Sequence, residues 1–141
     1  LNLKPLADKL ISTIEKIDGC EIVSGTGFQP VDPDLSIFQL QKLAGKMPAP
    51  LSLTNTVSFV VRGADSMVLL AGLDIEGICA SSGSACSAGS LEPSHVIVAI
   101  GKRNLANSLV RFSLGRFSTA EEVYFVCDVL PKIIRRSQRA K

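Results

Sequence analysis

Apolar residues at Leu3, Leu6, Leu10, Ile14 and Ile17 alternate with Lys4, Asp8, Lys9, Glu15 and Lys16 at the three- and four-residue spacing of an amphipathic helix. Pro5 suits its first turn and Gly19 its end. Cys20 to Val23 then reads as a short strand, and TVSFVV, Thr56 to Val61, as a stronger one, rich in β-branched and aromatic residues. A helix is predicted over Asp65 to Leu73, with Asp65 as N-cap and Met67, Leu69, Leu70 and Leu73 as its apolar surface. Gly77 to Ala80 reads as a short strand, and Glu92 to Gly101 as a helix with Pro93 in its first turn.

In Ser108 to Leu114 the apolar Val110, Phe112 and Leu114 alternate with Leu109, Arg111 and Ser113, as in a strand with one apolar face. The last helix opens with capping-box spacing, Ser118 to Glu121 or Thr119 to Glu122. Val123, Val126 and Leu130 form its stripe, with Phe125, Val129 and Ile133 beside them. Pro131 predicts a kink or an early end, followed by a fraying basic tail over residues 132–141.

Between these elements, residues 24–50 are punctuated by Gly25, Gly27, Pro30, Pro33, Pro48 and Pro50, with a helical turn or two around Leu35 to Leu43. That exceeds the usual connection and predicts a surface insertion. The order of helices and strands, mostly with short links, predicts an α+β two-layer sandwich: a small, mainly antiparallel sheet with helices on one face.

Composition narrows the class. The chain has 141 residues, 46 % of them hydrophobic, enough for one domain that folds without metals or disulfides. A net charge of +2 is too small to point to nucleic acid or an anionic membrane. No apolar run is long enough for a membrane helix, and the first residues lack the apolar core of a signal peptide, so a soluble cytoplasmic protein is expected. Cys20, Cys79, Cys86 and Cys127 are irregularly spaced and are expected as reduced thiols. With no CxxC pair and only His95, no metal site is expected.

Two residues could carry chemistry. Cys86 lies in ASSGSACSAGS, Ala80 to Ser90, whose neighbours cannot pack a core around it. An accessible thiol follows. The nearest basic residues along the chain are Arg62 and Lys102, so any activating charge must come from the fold or a ligand. A reactive cysteine and a bland Gly/Ser surface loop both stay open; a phosphate cradle is disfavoured because the Walker lysine spacing is absent. Arg111, inside a strand, is either a solvent-facing residue or a fork that grips a carboxylate through two parallel hydrogen bonds.

SSGSACSAGSLEPSHVIVAIG, Ser81 to Gly101, and SLVRFSLGRFSTAEEV, Ser108 to Val123, closely resemble the C-terminal small domain of the cysteine desulfurases. These are fold type I pyridoxal-phosphate enzymes that mobilise sulfur for iron-sulfur clusters. The resemblance covers most of the chain from Thr56 to Lys132, including GADSMVLLAGLDIEGICA, and is to the branch with a long mobile cysteine loop. It implies that Cys86 is the nucleophile that takes sulfur from L-cysteine as a persulfide, leaving alanine, and that Arg111 holds the substrate carboxylate. It assigns His95 no catalytic role, and Arg116 is expected to tie the strand end to neighbouring structure.

On that resemblance, residues 1–141 are one small domain whose large cofactor-binding domain is absent. Pyridoxal phosphate is expected in the full-length parent, a cytoplasmic homodimer that meets sulfur-acceptor or scaffold proteins, and none in this chain, which begins at Leu1 and is expected to be inactive alone. Two other readings are a non-enzymatic sulfur carrier or docking module, and a selenocysteine lyase-like relative.

Overall fold

The computed structural model describes residues 2–23, 54–82, 97–98 and 102–139. The elements are α1 (Lys4–Ile14), β1 (Cys20–Ile22), β2 (Thr56–Val61), α2 (Ser66–Ile75), a 3-10 turn (Arg103–Leu105), β3 (Leu109–Ser113) and α3 (Ala120–Arg139). The strands form an antiparallel sheet in the order β1-β2-β3. Cys20 is opposite Val61 and Ile22 opposite Phe59; on the other side Thr56 is opposite Ser113 and Val60 opposite Leu109. This is the expected α+β arrangement.

One face of the sheet presents Val57, Phe59, Val61, Val110 and Phe112 to the helices. The rings of Phe59 and Phe112 lie 5.8 Å apart. α1 packs on β1 and β2, α2 on β3, and α3 against both α1 and α2, burying Ala7, Leu10, Ile14, Leu69, Leu73, Leu130, Ile133 and Ile134. Each fully buried aliphatic side chain contributes about 1.5–3 kcal/mol. The opposite face is not bare, as one-sided alternation predicts: Val60 and Leu109 are buried there in a second apolar cluster with Val23, Ile97, Leu105 and Ala106.

The caps explain where the helices start. The Asp65 carboxylate accepts from the Met67 N–H at 2.8 Å. For α3 it is the second of the two expected boxes that forms: the Thr119 hydroxyl accepts from the Glu122 N–H at 3.2 Å, and the Glu122 carboxylate accepts from the Thr119 N–H at 2.9 Å. Pro131 does not end α3. A proline inside a helix costs roughly 3 kcal/mol, but Ile133, Ile134 and Ser137 beyond it are buried, and that burial holds the last turns in place. The residues expected to fray are therefore helical to Arg139.

Other expectations shift in detail. Met67, placed on the apolar face of α2, is 52 % exposed, and Phe125 of α3 is turned outward as well. Gly77 to Ala80 forms no strand; Gly77 instead has a positive φ of 74° just past α2, and pairing with β3 begins at Ser81. The expected insertion at 24–50 lies outside the described residues, as does the expected helix over Glu92 to Gly101 except for Ile97 and Val98, which are helical.

Candidate functional site

Arg111 sits in the middle of β3, between two neighbours. On one side it is opposite Ser58 of β2; on the other it pairs with Ser81. The Arg111 N–H donates to the Ser81 carbonyl at 2.7 Å, and the Ser81 N–H donates to the Arg111 carbonyl at 3.1 Å. Both backbone groups of Arg111 are thereby satisfied by one residue. The Ser58 carbonyl faces the other way and accepts from Val23 at 2.8 Å. Ser58 and Arg111 thus make the close kind of antiparallel pair, with Cα atoms about 4.5 Å apart and side chains drawn together.

The Arg111 side chain lies on the sheet face away from the helices, because Val110 and Phe112 on either side of it point into the helical core. It is half-buried, neither the solvent-facing strand residue nor a core group. Its Nε is cut off from solvent and has no hydrogen-bond partner among the described residues. A buried donor left unpaired costs about 1–3 kcal/mol, so this nitrogen is a place where an acceptor would bind favourably.

Cys86 lies outside the described residues. The root of its segment does not: Ser81 is fixed to Arg111, and Cys86 follows five residues later, so the Cα atoms of Ser81 and Cys86 can be at most about 18 Å apart. His95 also lies outside the described residues. Among the described residues Arg116 does not tie the strand end to other elements; it is exposed, with its guanidinium stacked 4.7 Å from the Phe117 ring centre.

The three described cysteines are free thiols. Cys79 is exposed, while Cys20 and Cys127 are half-buried, Cys127 accepting a hydrogen bond from Thr13 at 3.3 Å. Burial, with a smaller contribution from Asp18, pushes the Cys20 thiol up to about 11. Among the described residues no three His, Cys, Asp or Glu side chains could hold a metal ion, and no helix is long and apolar enough to cross a membrane.

The Aminotransferase class-V family model matches residues 34–126, a span that contains Ser58, Ser81, Cys86 and Arg111. The chain belongs to the class-V aminotransferase family.

Among curated class-V relatives, the chain is 43 % identical over 96 residues to the cysteine desulfurase IscS of Clostridium botulinum, covering 67 % of this chain and 24 % of that protein. It is 42 % identical over 85 residues to a cysteine desulfurase of a Nostoc species, covering 60 % of this chain and 21 % of the relative. The chain thus spans about a quarter of the length of the curated relatives it matches. Its fold is shared with a NifS-like protein from Rickettsia africae, with a TM-score of 0.67 and 22 % identity over 95 % of this chain and 28 % of that one.

Class-V chemistry implies pyridoxal phosphate, which requires a lysine to hold it as an imine and a partner for its ring nitrogen. Among the described residues Lys4, Lys9, Lys16 and Lys132 are exposed, and Lys102 is ion-paired with Glu21. None is a desolvated amine facing Arg111. The described residues do not fit the cofactor, and they are considered below only for what they do to substrate.

Sequence patterning singles out Arg111 but neither Ser58 nor Ser81. The polar Ser58 within the apolar run TVSFVV is a signal, but its meaning depends on the strand register, which no spacing along one strand provides.

Proposed function

We propose that this chain is part of a cysteine desulfurase, in which Arg111 holds the carboxylate of L-cysteine and the Cys86 thiolate takes its sulfur. The substrate's carbon–sulfur bond breaks and a sulfur–sulfur bond forms at Cys86, so that L-cysteine and the enzyme thiol give L-alanine and the enzyme persulfide. Pyridoxal phosphate, on this reading, is held by residues other than those described, in a cytoplasmic homodimer, and the persulfide passes to an acceptor protein.

The observation that carries the reading is the bridge between Ser81 and Arg111. It fixes the root of the cysteine segment to the strand bearing the arginine, so that one short tether relates the nucleophile to the group that positions its target. A Gly- and Ser-rich segment after that root puts few steric barriers in the way of the thiol.

The test is turnover of L-cysteine to L-alanine by the protein as the cell makes it. Cys86→Ala is expected to abolish sulfur release and the added sulfur that mass spectrometry detects on this segment. Arg111→Lys, which keeps the charge but loses the fork, is expected to raise KM for L-cysteine at least tenfold. Unaltered turnover in Cys86→Ala would sink the assignment.

A further inference from the structure

Ser58, Arg111 and Ser81 form a single row across three neighbouring segments of the sheet. Residues directly opposite one another in an antiparallel ladder project to the same face, so the two hydroxyls flank the guanidinium on the side away from the helices. All three residues are half-buried. Beside the row, the next pair on that face, Val60 and Leu109, is apolar and buried. The face therefore has a polar row with a central cation and an apolar wall next to it.

That arrangement matches a small amino acid better than a phosphate or a peptide. An ionised carboxylate has two oxygens with about four acceptor sites, and a guanidinium fork occupies one on each oxygen. The buried Nε of Arg111, without a partner among the described residues, favours a side-on grip through Nε and one terminal nitrogen. The remaining acceptor sites then point outward along the row, toward a hydroxyl on each side.

We infer that Ser58 and Ser81 complete the carboxylate site of Arg111, each donating its hydroxyl to the bound carboxylate, and that together they select small α-amino acids over amines that lack the carboxylate. The inference rests on the reading of Arg111 as the carboxylate-holding residue.

The experiment is a titration of the 15N-labelled chain with L-alanine and, separately, with ethylamine, followed by NMR at the Arg111 Nε–Hε resonance and at the Ser58 and Ser81 amides. L-alanine is expected to give a saturable shift and ethylamine none. Replacing both serines, Ser58→Ala with Ser81→Ala, is expected to weaken L-alanine binding about a hundredfold, the worth of two hydrogen bonds to a charged group. Each single alanine variant should weaken it by a smaller factor, whereas Ser58→Thr and Ser81→Thr, which keep the hydroxyl, should bind as the parent does. If the alanine variants bind normally while Arg111→Gln abolishes binding, the role of the serines is wrong and that of Arg111 stands. If Arg111→Gln binds L-alanine unchanged, or the parent chain shows no saturable shift, both fall together.

Discussion

Ser81 satisfies both backbone hydrogen-bonding groups of Arg111, at 2.7 and 3.1 Å, in an isolated bridge that adds a further edge to the three-stranded sheet. Among the described residues those groups have no other strand to bond, so the positions of the arginine and of Ser81, the root of the cysteine segment, are set by the same pair of bonds. Ser81→Pro removes the N–H that donates to the Arg111 carbonyl and leaves that carbonyl unpaired. The expected outcome is at least tenfold faster amide hydrogen exchange at Arg111, with little change at Val57 and Phe59 in the middle of β2. Ser81→Ala, which keeps both backbone bonds, should exchange at the parent rate; a faster rate there would mean that the side chain, not the bridge, holds the strand.

Much of this was legible from residue spacing, and the exceptions have physical causes. β2 was placed to the residue, because Thr56 to Val61 combines β-branched and aromatic residues with polar flanks. Asp65 was readable as a cap because its side chain acts on its own helix. The continuation of α3 beyond Pro131 was not readable: the burial that sustains it comes from α1 and α2, far away in sequence. Leu109 was assigned to a polar face for the same kind of reason, since its partners Val23, Ile97 and Leu105 belong to other elements. At the site, the nature of Arg111 could be read but its setting could not; both serines beside it are consequences of strand pairing.

Gly19 and Gln138 are matched in shape. Gly19 has a φ of 79°, and a Cβ added there would lie 2.8 Å from the Gln138 side-chain nitrogen. That nitrogen donates to the Arg62 carbonyl at 3.2 Å and to the Asp18 carbonyl at 3.5 Å, tying the end of α3 to both strands at one end of the β1–β2 pair. Gly19→Ala is expected to lower stability by about 1–2 kcal/mol from the left-handed backbone alone, and by more while Gln138 is present. Urea denaturation of Gly19→Ala, Gln138→Ala and the double variant tests this: strict additivity would show that the two do not touch.

Thr119 and Glu122 cap α3 reciprocally. Thr119→Ala leaves the Glu122 N–H without its acceptor and is expected to cost about 1 kcal/mol, measured by thermal denaturation. Ser118→Ala removes a different bond, in which the Ser118 hydroxyl accepts from the Gly115 N–H at 3.0 Å. If Thr119→Ala leaves the stability unchanged, the reciprocal Thr119–Glu122 box does not hold the start of α3.

Burial makes Cys20 a poor nucleophile. Its thiol is pushed from 9.0 to about 11, first by burial and then by the nearby negative charge of Asp18. In the unfolded chain the same thiol ionises near 9.0, so below that pH both states are protonated and ionisation of Cys20 makes no difference between them. Between 9.0 and about 11 the unfolded state loses its proton first, and stability falls as pH rises through that window. Alkylation at pH 9 is therefore expected to modify Cys20 at least tenfold more slowly in the folded chain than in urea, with the exposed Cys79 labelled rapidly in both. Peptide mapping by mass spectrometry separates the two sites, and equal rates at Cys20 in folded and unfolded protein would show that its thiol is not shielded by the core it packs against.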